Sequence, residues 1–341
     1  MMRACAFGIR EPVLTPETKA FLKEAQPWGL ILFREACQTP GQVRALTQAL
    51  REACGHDAVI WIDQEGGRVA RLKAPAWPVW PAALRYGTLY GKDPEAGLEA
   101  AWLGYRLIAH ELKAIGVNGD FAPVLDVPAD GSDPIVGDRA FGLDAHTATL
   151  LGGAALQGLR EGGVAGCIKH MPGHGRADVD SHFALPHVGE GMNALAADIA
   201  PFLVLAPQAE AAMTAHIVYA ALDPDRPATQ SPVVIDFIRT EIGFQGLLIS
   251  DDLDMKALAG NLGEKASAAF AAGCDLVIQC SGVVAEMAET AEATPMLAGP
   301  ALARAQAVEA VARLAPEDFD AAEAWWRLRT LLGPNVGLKV G

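Results

Sequence analysis

The feature that most constrains the fold of this chain is a set of eight short apolar runs that alternate with segments of helical character. The runs are 4–9, 28–33, 58–63, 117–127, 163–170, 211–218, 246–252 and 274–280. They are continuously apolar rather than alternating, which is typical of strands buried on both faces of a parallel sheet. Eight such strands, each followed by a helix, predict an α/β fold that is a single (β/α)8, TIM-type barrel.

The segments between the runs are rich in Ala, Leu and Glu and place apolar residues at helical spacing. We expect helices over 41–54, 94–115, 145–161, 190–206, 231–243 and 262–272. An open doubly wound sheet is the alternative, because the count of eight strands depends on 4–9 being the first one. The sequence has neither GxGxxG after an early strand nor GxxxxGK[ST], the motifs that would favour this alternative.

Length and charge limit the classes of partner. The chain has 341 residues, 51% of them hydrophobic, and a formal net charge of −14. We therefore expect one catalytic domain over 1–341, and we expect neither nucleic acid nor an anionic membrane surface as a partner, since both need a basic face. The apolar run near the N-terminus is too short for a signal peptide, and no run reaches the roughly 18 residues of a membrane span. These features predict a soluble, cytoplasmic protein, with a monomer as the default.

The cysteines give no sign of a metal site or a disulfide framework. No two of them are spaced as CxxC, and several lie within the apolar runs. We expect reduced thiols in the core. The cysteines are Cys5, Cys37, Cys54, Cys167, Cys274 and Cys280.

Polar side chains stand at the ends of five consecutive runs, from the third to the seventh. In a barrel, the C-terminal ends of the strands meet at one mouth, so these side chains are expected to line one polar pocket. The residues at or just after these ends are Asp63, Glu65, Arg68, Asp120, Asp126, Arg139, Lys169, His170, His216, Asp251 and Asp252.

The segment KHMPGHGRADVDSH, residues 169–182, adds three histidines and two aspartates. In an extended loop, residues two apart lie on the same side, so Asp180 can orient His182 as a proton donor. Asp251 supplies a carboxylate that could attack an anomeric carbon while the donor protonates the leaving oxygen. A pocket of Asp, Arg, Lys and His without metal-ligand spacing is typical of a sugar site, because these groups hydrogen-bond hydroxyls.

Several segments, in order, resemble the bacterial β-N-acetylhexosaminidases of glycoside hydrolase family 3. They are DQEGGRVARL, FAPVLDV, GDRAFG, KHMPGHGRADVDSH, MTAHIVY and SDDLDM, within about residues 4 to 285. The resemblance implies a barrel enzyme that needs no cofactor and no metal. It implies removal of a terminal N-acetylglucosamine with retention of configuration. It also implies a peptidoglycan-recycling substrate, a GlcNAc-containing muropeptide in which GlcNAc is linked β-1,4 to anhydro-MurNAc, with or without peptide.

The resemblance also implies roles for particular residues. Asp251 matches the family's nucleophile, His182 its general acid/base, and Asp180 the partner of that histidine. The residues that match the sugar-holding positions are Asp63, Arg139, Lys169 and His170. His216 is a further substrate-binding candidate, expected with Asp126 to shape the pocket. One departure is visible, since many members have an Arg-Asn pair shortly after ILF, whereas ILFREA offers Arg34 one place early and no Asn.

Three alternative functions stay open at this point. A metal-dependent barrel hydrolase would use the histidines with an Asp as ligands. A non-catalytic sugar-binding barrel would have lost the chemistry, although every matched catalytic position is filled. A phosphorolytic variant would use phosphate in place of water as the acceptor.

Overall fold

A computed structural model describes residues 1–339, in which eight parallel strands close into a barrel. The strands are β1 (Arg3–Ile9), β2 (Pro27–Leu32), β3 (Val59–Ile62), β4 (Gly119–Asp120), β5 (Ala165–Met171), β6 (Ala211–Thr214), β7 (Leu247–Asp252) and β8 (Leu276–Gln279). Each pairs with the next, and β8 pairs with β1. The predicted (β/α)8 fold is confirmed, and the open sheet is wrong. Residues 340 and 341 of the expected domain lie outside the described residues.

The helices follow the strands as expected. They are α1 (Pro16–Ala25), α2 (Pro40–Cys54), α3 (Ala83–Tyr90), α4 (Pro94–Ala114), α5 (Ala145–Glu161), α6 (Met192–Leu205), α7 (Pro232–Thr240), α8 (Leu262–Ala272), α9 (Val284–Glu292), α10 (Gly299–Ala312) and α11 (Ala321–Leu332). The side chains of Thr39, Asp93 and Asp144 each accept a hydrogen bond from a backbone N–H in the first turn of their helix. Such caps explain why α2, α4 and α5 begin where polar residues precede the helical pattern.

The fourth strand is much shorter than the apolar run 117–127 that predicted it. Only Gly119–Asp120 pair regularly, because Pro123 has no N–H to donate and the chain leaves the regular ladder. The run nevertheless stays beside β5: the N–H of Leu125 donates to the carbonyl of Lys169 at 2.8 Å.

The barrel interior is filled by large side chains. Trp61 and Phe121 stack with ring centroids 4.8 Å apart, and Trp28 lies 6.3 Å from Trp61. All three are buried in one cluster, whereas Cys5 and Phe7 of β1 face a second cluster under the helices. Because side chains close the middle of the barrel, a ligand can enter only at an end of the strands.

The proline-rich segment 74–84 differs from the surface loop that its composition predicts. Trp77 and Trp80 are buried, and the ring of Trp80 packs 5.1 Å from that of Trp325 on α11. Trp80 connects α11 with the antiparallel strand pair Gln64–Gly66 and Val69–Ala70, because its ring packs on Trp325 and its carbonyl accepts the N–H of Gly67. We call these two strands, residues 64–70, the rim hairpin.

The chain after α11 reaches the same place. The N–H of Gly337 donates to the carbonyl of Val79, and the N–H of Val79 donates to the carbonyl of Leu338, both at 2.9 Å. The carbonyl of Trp80 in turn accepts from the N–H of Gly67 at 3.1 Å. The C-terminal segment therefore supports the rim hairpin through segment 74–84, which contains Trp77 and Trp80.

Two further expectations concern the whole described chain. All six cysteines are unpaired and buried, as the sequence predicts. Within residues 1–339, the helices are either too short or too polar to cross a bilayer.

Candidate active site

One cavity of about 540 Å³ opens at the C-terminal ends of the strands. Its floor includes interior residues of the barrel, such as Ile31, Phe121 and Met213. Its wall contains these sequence-predicted residues: Asp63, Glu65, Arg68, Arg139, Lys169, His170, Asp180, His182, Asp251 and Asp252. The structure thus gathers residues from distant parts of the chain around one space, as the strand-end pattern predicts.

A network of paired charges forms one side of the wall. The Nζ of Lys169 lies 3.0 Å from Asp63 Oδ1 and 2.7 Å from Glu65 Oε1. Arg139 forms a bidentate ion pair with Glu65, in which Nε and Nη2 each donate to one carboxylate oxygen at 2.8 Å. Arg71 completes the network with a 2.9 Å contact to Asp63 Oδ2. Glu65, whose role the sequence leaves open, is therefore the centre of this wall.

Electrostatics keep this network ionised. Burial alone would raise the pKa of Glu65, but Arg139 and Lys169 lower it to about 2. Burial would lower the pKa of Lys169, but Glu65 and Asp63 raise it above its usual value. Buried charges that compensate one another in this way hold their side chains in one arrangement. The wall can present fixed charged groups to the hydroxyl and amide groups of a sugar.

A second set of contacts orients His170. Asp126 Oδ2 lies 2.7 Å from His170 Nδ1, and Asp126 Oδ1 accepts from the backbone N–H groups of His170 and His174. Burial alone would raise the pKa of Asp126, but the two histidines bring it well below its usual range. Asp126 is buried behind the wall, so it positions His170 and does not itself face the cavity.

The candidate nucleophile stands at the end of β7. The carboxylate of Asp251 lines the cavity and accepts the N–H of Asp252 at 2.8 Å. Burial alone would raise its pKa, but His216 and His170 lower it below the usual value. Asp251 is therefore ionised at neutral pH, the state that a nucleophilic carboxylate needs.

Its neighbour Asp252 has a different electrostatic environment. Burial and the nearby Asp254 raise the pKa of Asp252 to about 7. Its Oδ1 also accepts the backbone N–H groups of Asp254 and Cys280, both at 3.1 Å. Of the two adjacent carboxyl groups on the wall, Asp251 is the better nucleophile because it is the more readily ionised.

The candidate proton donor lies on an exposed turn. His182 Nδ1 is 2.8 Å from Asp180 Oδ1, which also accepts the backbone N–H of His182 at 2.9 Å. Burial would raise the pKa of Asp180, but these hydrogen bonds lower it, so the carboxylate is charged. With Nδ1 held by Asp180, Nε2 is the ring nitrogen left for a substrate. The side chain of His182 is 61% exposed.

Side-chain hydrogen bonds attach the first half of the loop that holds this turn to the rest of the protein. Tyr219 donates its hydroxyl to the carbonyl of Gly173 at 2.8 Å, and Arg176 pairs with Asp198 at 2.6 Å. A Cβ on Gly175 would clash with the carbonyl oxygen of Val127, so only glycine permits this close approach.

His174 belongs to this first half of the loop. Burial lowers its pKa to about 4, and its Nε2 lies 3.4 Å from Ser181 Oγ. A neutral, buried ring with a hydrogen-bonding partner in the protein is typical of a residue that holds a loop rather than reacts.

The structure places His216 differently from the expectation of a sugar contact. Its Nδ1 lies 2.7 Å from Thr229 Oγ1 and its Nε2 lies 3.0 Å from the carbonyl of Asp252. The ring is fully buried and does not line the cavity, because β6 ends at Thr214 and the chain turns behind β7. His216 therefore supports the end of β7, and its position gives no support to direct substrate binding.

Sequence reasoning missed two aromatic residues at the mouth, Phe33 and Phe183. Phe183 directly follows His182 in a polar loop, and an apolar residue in such a place was the available signal. Arg34 follows Phe33 and is exposed, at the start of the turn Arg34–Ala36.

Metal binding has its own geometric requirement, three or more suitable side chains around one point. Across residues 1–339, His, Cys, Asp and Glu form no such group. The cavity histidines instead have hydrogen-bonding partners within the protein, namely Asp126, Ser181 and Asp180.

Comparisons with known proteins agree with this geometry. The model of the glycosyl hydrolase family 3 N terminal domain matches residues 9–315. A beta-hexosaminidase of Neisseria meningitidis serogroup C is 38% identical over 274 residues, covering 79% of this chain and 75% of that protein. A beta-hexosaminidase of Pseudomonas aeruginosa is 38% identical over 271 residues, covering 79% of each chain.

A solved structure extends the similarity to the whole barrel. NagZ from Neisseria gonorrhoeae, in complex with N-trifluoroacetyl-D-glucosamine, superposes with a TM-score of 0.86 at 32% sequence identity. The match covers 98% of this chain and 99% of that protein.

Proposed function

This chain belongs to glycosyl hydrolase family 3 and is a glycoside hydrolase with β-N-acetylhexosaminidase activity, and from this premise we propose its substrate and mechanism. The substrate is a peptidoglycan fragment, GlcNAc linked β-1,4 to anhydro-MurNAc, with or without peptide. The enzyme removes the non-reducing terminal GlcNAc and retains its configuration. We further propose that it works as a monomer in the cytoplasm, a reducing compartment in which its six unpaired cysteines would stay reduced.

In the first step, the terminal sugar occupies the cavity against the paired-charge wall. The Asp251 carboxylate attacks the anomeric carbon and forms a glycosyl–aspartate bond. The bond from that carbon to the bridging oxygen breaks, and this oxygen takes the proton from His182 Nε2. Asp180 holds Nδ1 and stabilises the ring while its proton is transferred. The remainder of the substrate leaves as an alcohol.

In the second step, water replaces the departed alcohol. His182 accepts a proton from the water, whose oxygen attacks the anomeric carbon and breaks the bond to Asp251. The products are free GlcNAc and the enzyme in its original protonation state. Two inversions at the same carbon give overall retention.

One observation supports this mechanism above all others. An ionised aspartate and a histidine held by a carboxylate line the same cavity, although one stands at the end of β7 and the other in the loop after β5. The floor and wall of the cavity leave the mouth as the exit for the leaving group. Lys169, His170, Arg139 and Asp63 on the wall would hold the hydroxyl and N-acetyl groups of the bound sugar.

Covalent trapping tests the proposal directly. A 5-fluoro analogue of GlcNAc fluoride should form a long-lived adduct, because the ring fluorine slows hydrolysis of the intermediate. Mass mapping should locate the label on Asp251, and Asp251→Asn should abolish labelling. A label on Asp252 or any other residue would overturn the assigned nucleophile.

The substrate and the acceptor need separate measurements. The enzyme should cleave GlcNAc-anhydroMurNAc, with and without peptide, at a higher kcat/KM than diacetylchitobiose. The product should be free GlcNAc whether or not phosphate is present. Formation of GlcNAc 1-phosphate would instead identify the enzyme as a phosphorylase.

A further inference from the structure

Phe183 is an apolar side chain placed where solvent should disfavour it. It is 73% exposed. Among the exposed large hydrophobic residues of 1–339, it alone lines the cavity. An exposed aromatic at the mouth of a pocket is typical of a surface that a ligand covers.

The turn holds Phe183 in a defined relation to the proton donor. The backbone carbonyl of Asp180 accepts the N–H groups of Phe183 at 2.9 Å and Ala184 at 3.3 Å. The side chain of the same aspartate holds His182. Phe183 and the imidazole are therefore carried on one small unit, and whatever lies close to His182 lies close to Phe183.

The other phenyl ring at the mouth serves as an internal comparison. The guanidinium carbon of Arg10 lies 4.1 Å from the ring centroid of Phe33, and that of Arg71 lies 5.2 Å from it. Phe33 thus already has cation–π partners from the protein. Phe183, at 73% exposure, keeps most of its surface open to a ligand.

The chemistry of the cavity indicates what that ligand is. The charged wall suits the polar groups of the sugar that is cleaved, whereas the leaving group extends outward from the oxygen that His182 protonates. A pyranose ring has a face of C–H groups that packs well on an aromatic ring. We propose that Phe183 is the platform for the first sugar ring on the leaving-group side, and that it selects substrates with a sugar leaving group over those with a small one.

This inference rests on the proposed function, because it assumes that His182 protonates the leaving oxygen. It adds a substrate-binding residue that contacts the sugar beyond the cleaved bond. A ring packed on Phe183 also covers the imidazole beside it, which shields the Asp180–His182 pair from water during proton transfer.

Two substrates that differ only in the leaving group test the inference. Diacetylchitobiose has a sugar leaving group, and GlcNAc β-fluoride has a single atom. Phe183→Ala should lower kcat/KM about tenfold for the disaccharide and leave it within about twofold for the fluoride. Phe183→Trp should keep the preference for the disaccharide, because it restores an aromatic surface. For Phe183→Leu, kcat/KM for the disaccharide should lie between the values for Phe183→Ala and Phe183→Trp.

The controls separate binding from folding. Phe183→Ala should keep the wild-type melting temperature, since an exposed ring adds little to the core. Trp326→Ala removes another exposed aromatic, 64% exposed on α11, and should change neither substrate's kcat/KM. An equal effect of Phe183→Ala on both substrates, or no effect on either, would overturn the inference and leave the proposed function intact. If the wild-type enzyme cleaves neither substrate, both this inference and the proposed function are overturned.

Discussion

The two candidate catalytic side chains stand on opposite kinds of support. Asp251 ends a barrel strand that is hydrogen-bonded on both sides, beside a wall of buried ion pairs. His182 stands on an irregular turn, with 61% of its side chain exposed and one carboxylate as its partner. The difference separates two tasks, since the sugar must be held in one place whereas the proton donor must reach a leaving group that varies.

The contrast also appears in the charges. On the wall, mutual compensation of several buried groups determines each protonation state, so one substitution disturbs its neighbours. On the turn, Asp180 and His182 interact mainly with each other. Substitutions in the wall should therefore affect stability as well as activity, whereas substitutions in the turn should affect activity alone.

The largest expected effect belongs to the nucleophile. Asp251→Asn should lower kcat/KM by about 10,000-fold or more, because an amide cannot form the glycosyl ester. Steady-state kinetics and circular dichroism would show an inactive but folded protein. The matched control is Asp252→Asn, which resembles the protonated form favoured by a pKa of about 7 and should cost less than about tenfold. A reversed order would assign the chemistry to Asp252.

The wall is tested next, through stability. Glu65→Gln should lower the free energy of unfolding by about 3–5 kcal/mol at pH 7, because Arg139 and Lys169 lose the charge that compensates them. Urea unfolding measures this loss. Glu35→Gln removes an exposed ion pair with Arg10 and should cost no more than about 1 kcal/mol. Similar losses for the two variants would contradict the description of the wall as a coupled unit.

The same variant makes a prediction about pH. The pKa of Glu65 is depressed from 4.5 to about 2 in the folded protein. Its stabilising contribution is therefore fully present above pH 4.5 and is lost as the pH falls toward 2. Wild type and Glu65→Gln should differ most at pH 7 and converge at acid pH, and a constant difference from pH 7 to pH 3 would refute the assignment.

The turn should give a smaller effect that depends on the leaving group. His182→Ala should lower kcat/KM by about 100- to 1,000-fold for a sugar leaving group, which needs a proton. The loss should shrink for a dinitrophenyl leaving group, which departs without one. The melting temperature should stay at the wild-type value. Equal losses for both leaving groups would show that His182 does not act as the acid.

The smallest effect is expected for the residue that orients the donor. Asp180→Ala should lower kcat about tenfold with little change in KM, because it disturbs proton transfer more than sugar binding. A rise in KM without a fall in kcat would instead place Asp180 among the sugar-binding groups. Asp178→Ala, in the same loop, is the matched control.

The sequence predicts the regular elements of the fold better than the irregular segments. Regular elements were predictable, because buried parallel strands leave continuous apolar runs and capped helices leave polar signals before them. The length of the fourth strand was overestimated. The residues after Pro123 pack against the barrel and are apolar whether or not they continue the hydrogen bonding of the strand. The burial of Trp77 and Trp80 could not be predicted, because prolines indicate a loop but not what covers it.

The site was predictable in its membership more than in its contacts. Strand ends place side chains at one mouth, so the motif residues come together. They do not reveal that Glu65 pairs with Arg139, or that His216 turns behind β7 to Thr229. Those outcomes depend on which partner each polar group meets, and that is decided by contacts between residues far apart in sequence.

The support of the rim hairpin by Gly337 and Leu338 has a consequence for the order in which the enzyme is made. The hairpin containing Glu65 is synthesised early, but the backbone that braces it through Val79 and Trp80 is synthesised only after all eight barrel strands. A nascent chain can close most of its barrel before this brace exists. Full sugar-holding capacity should therefore arise only after residues 337 and 338 have paired with segment 74–84.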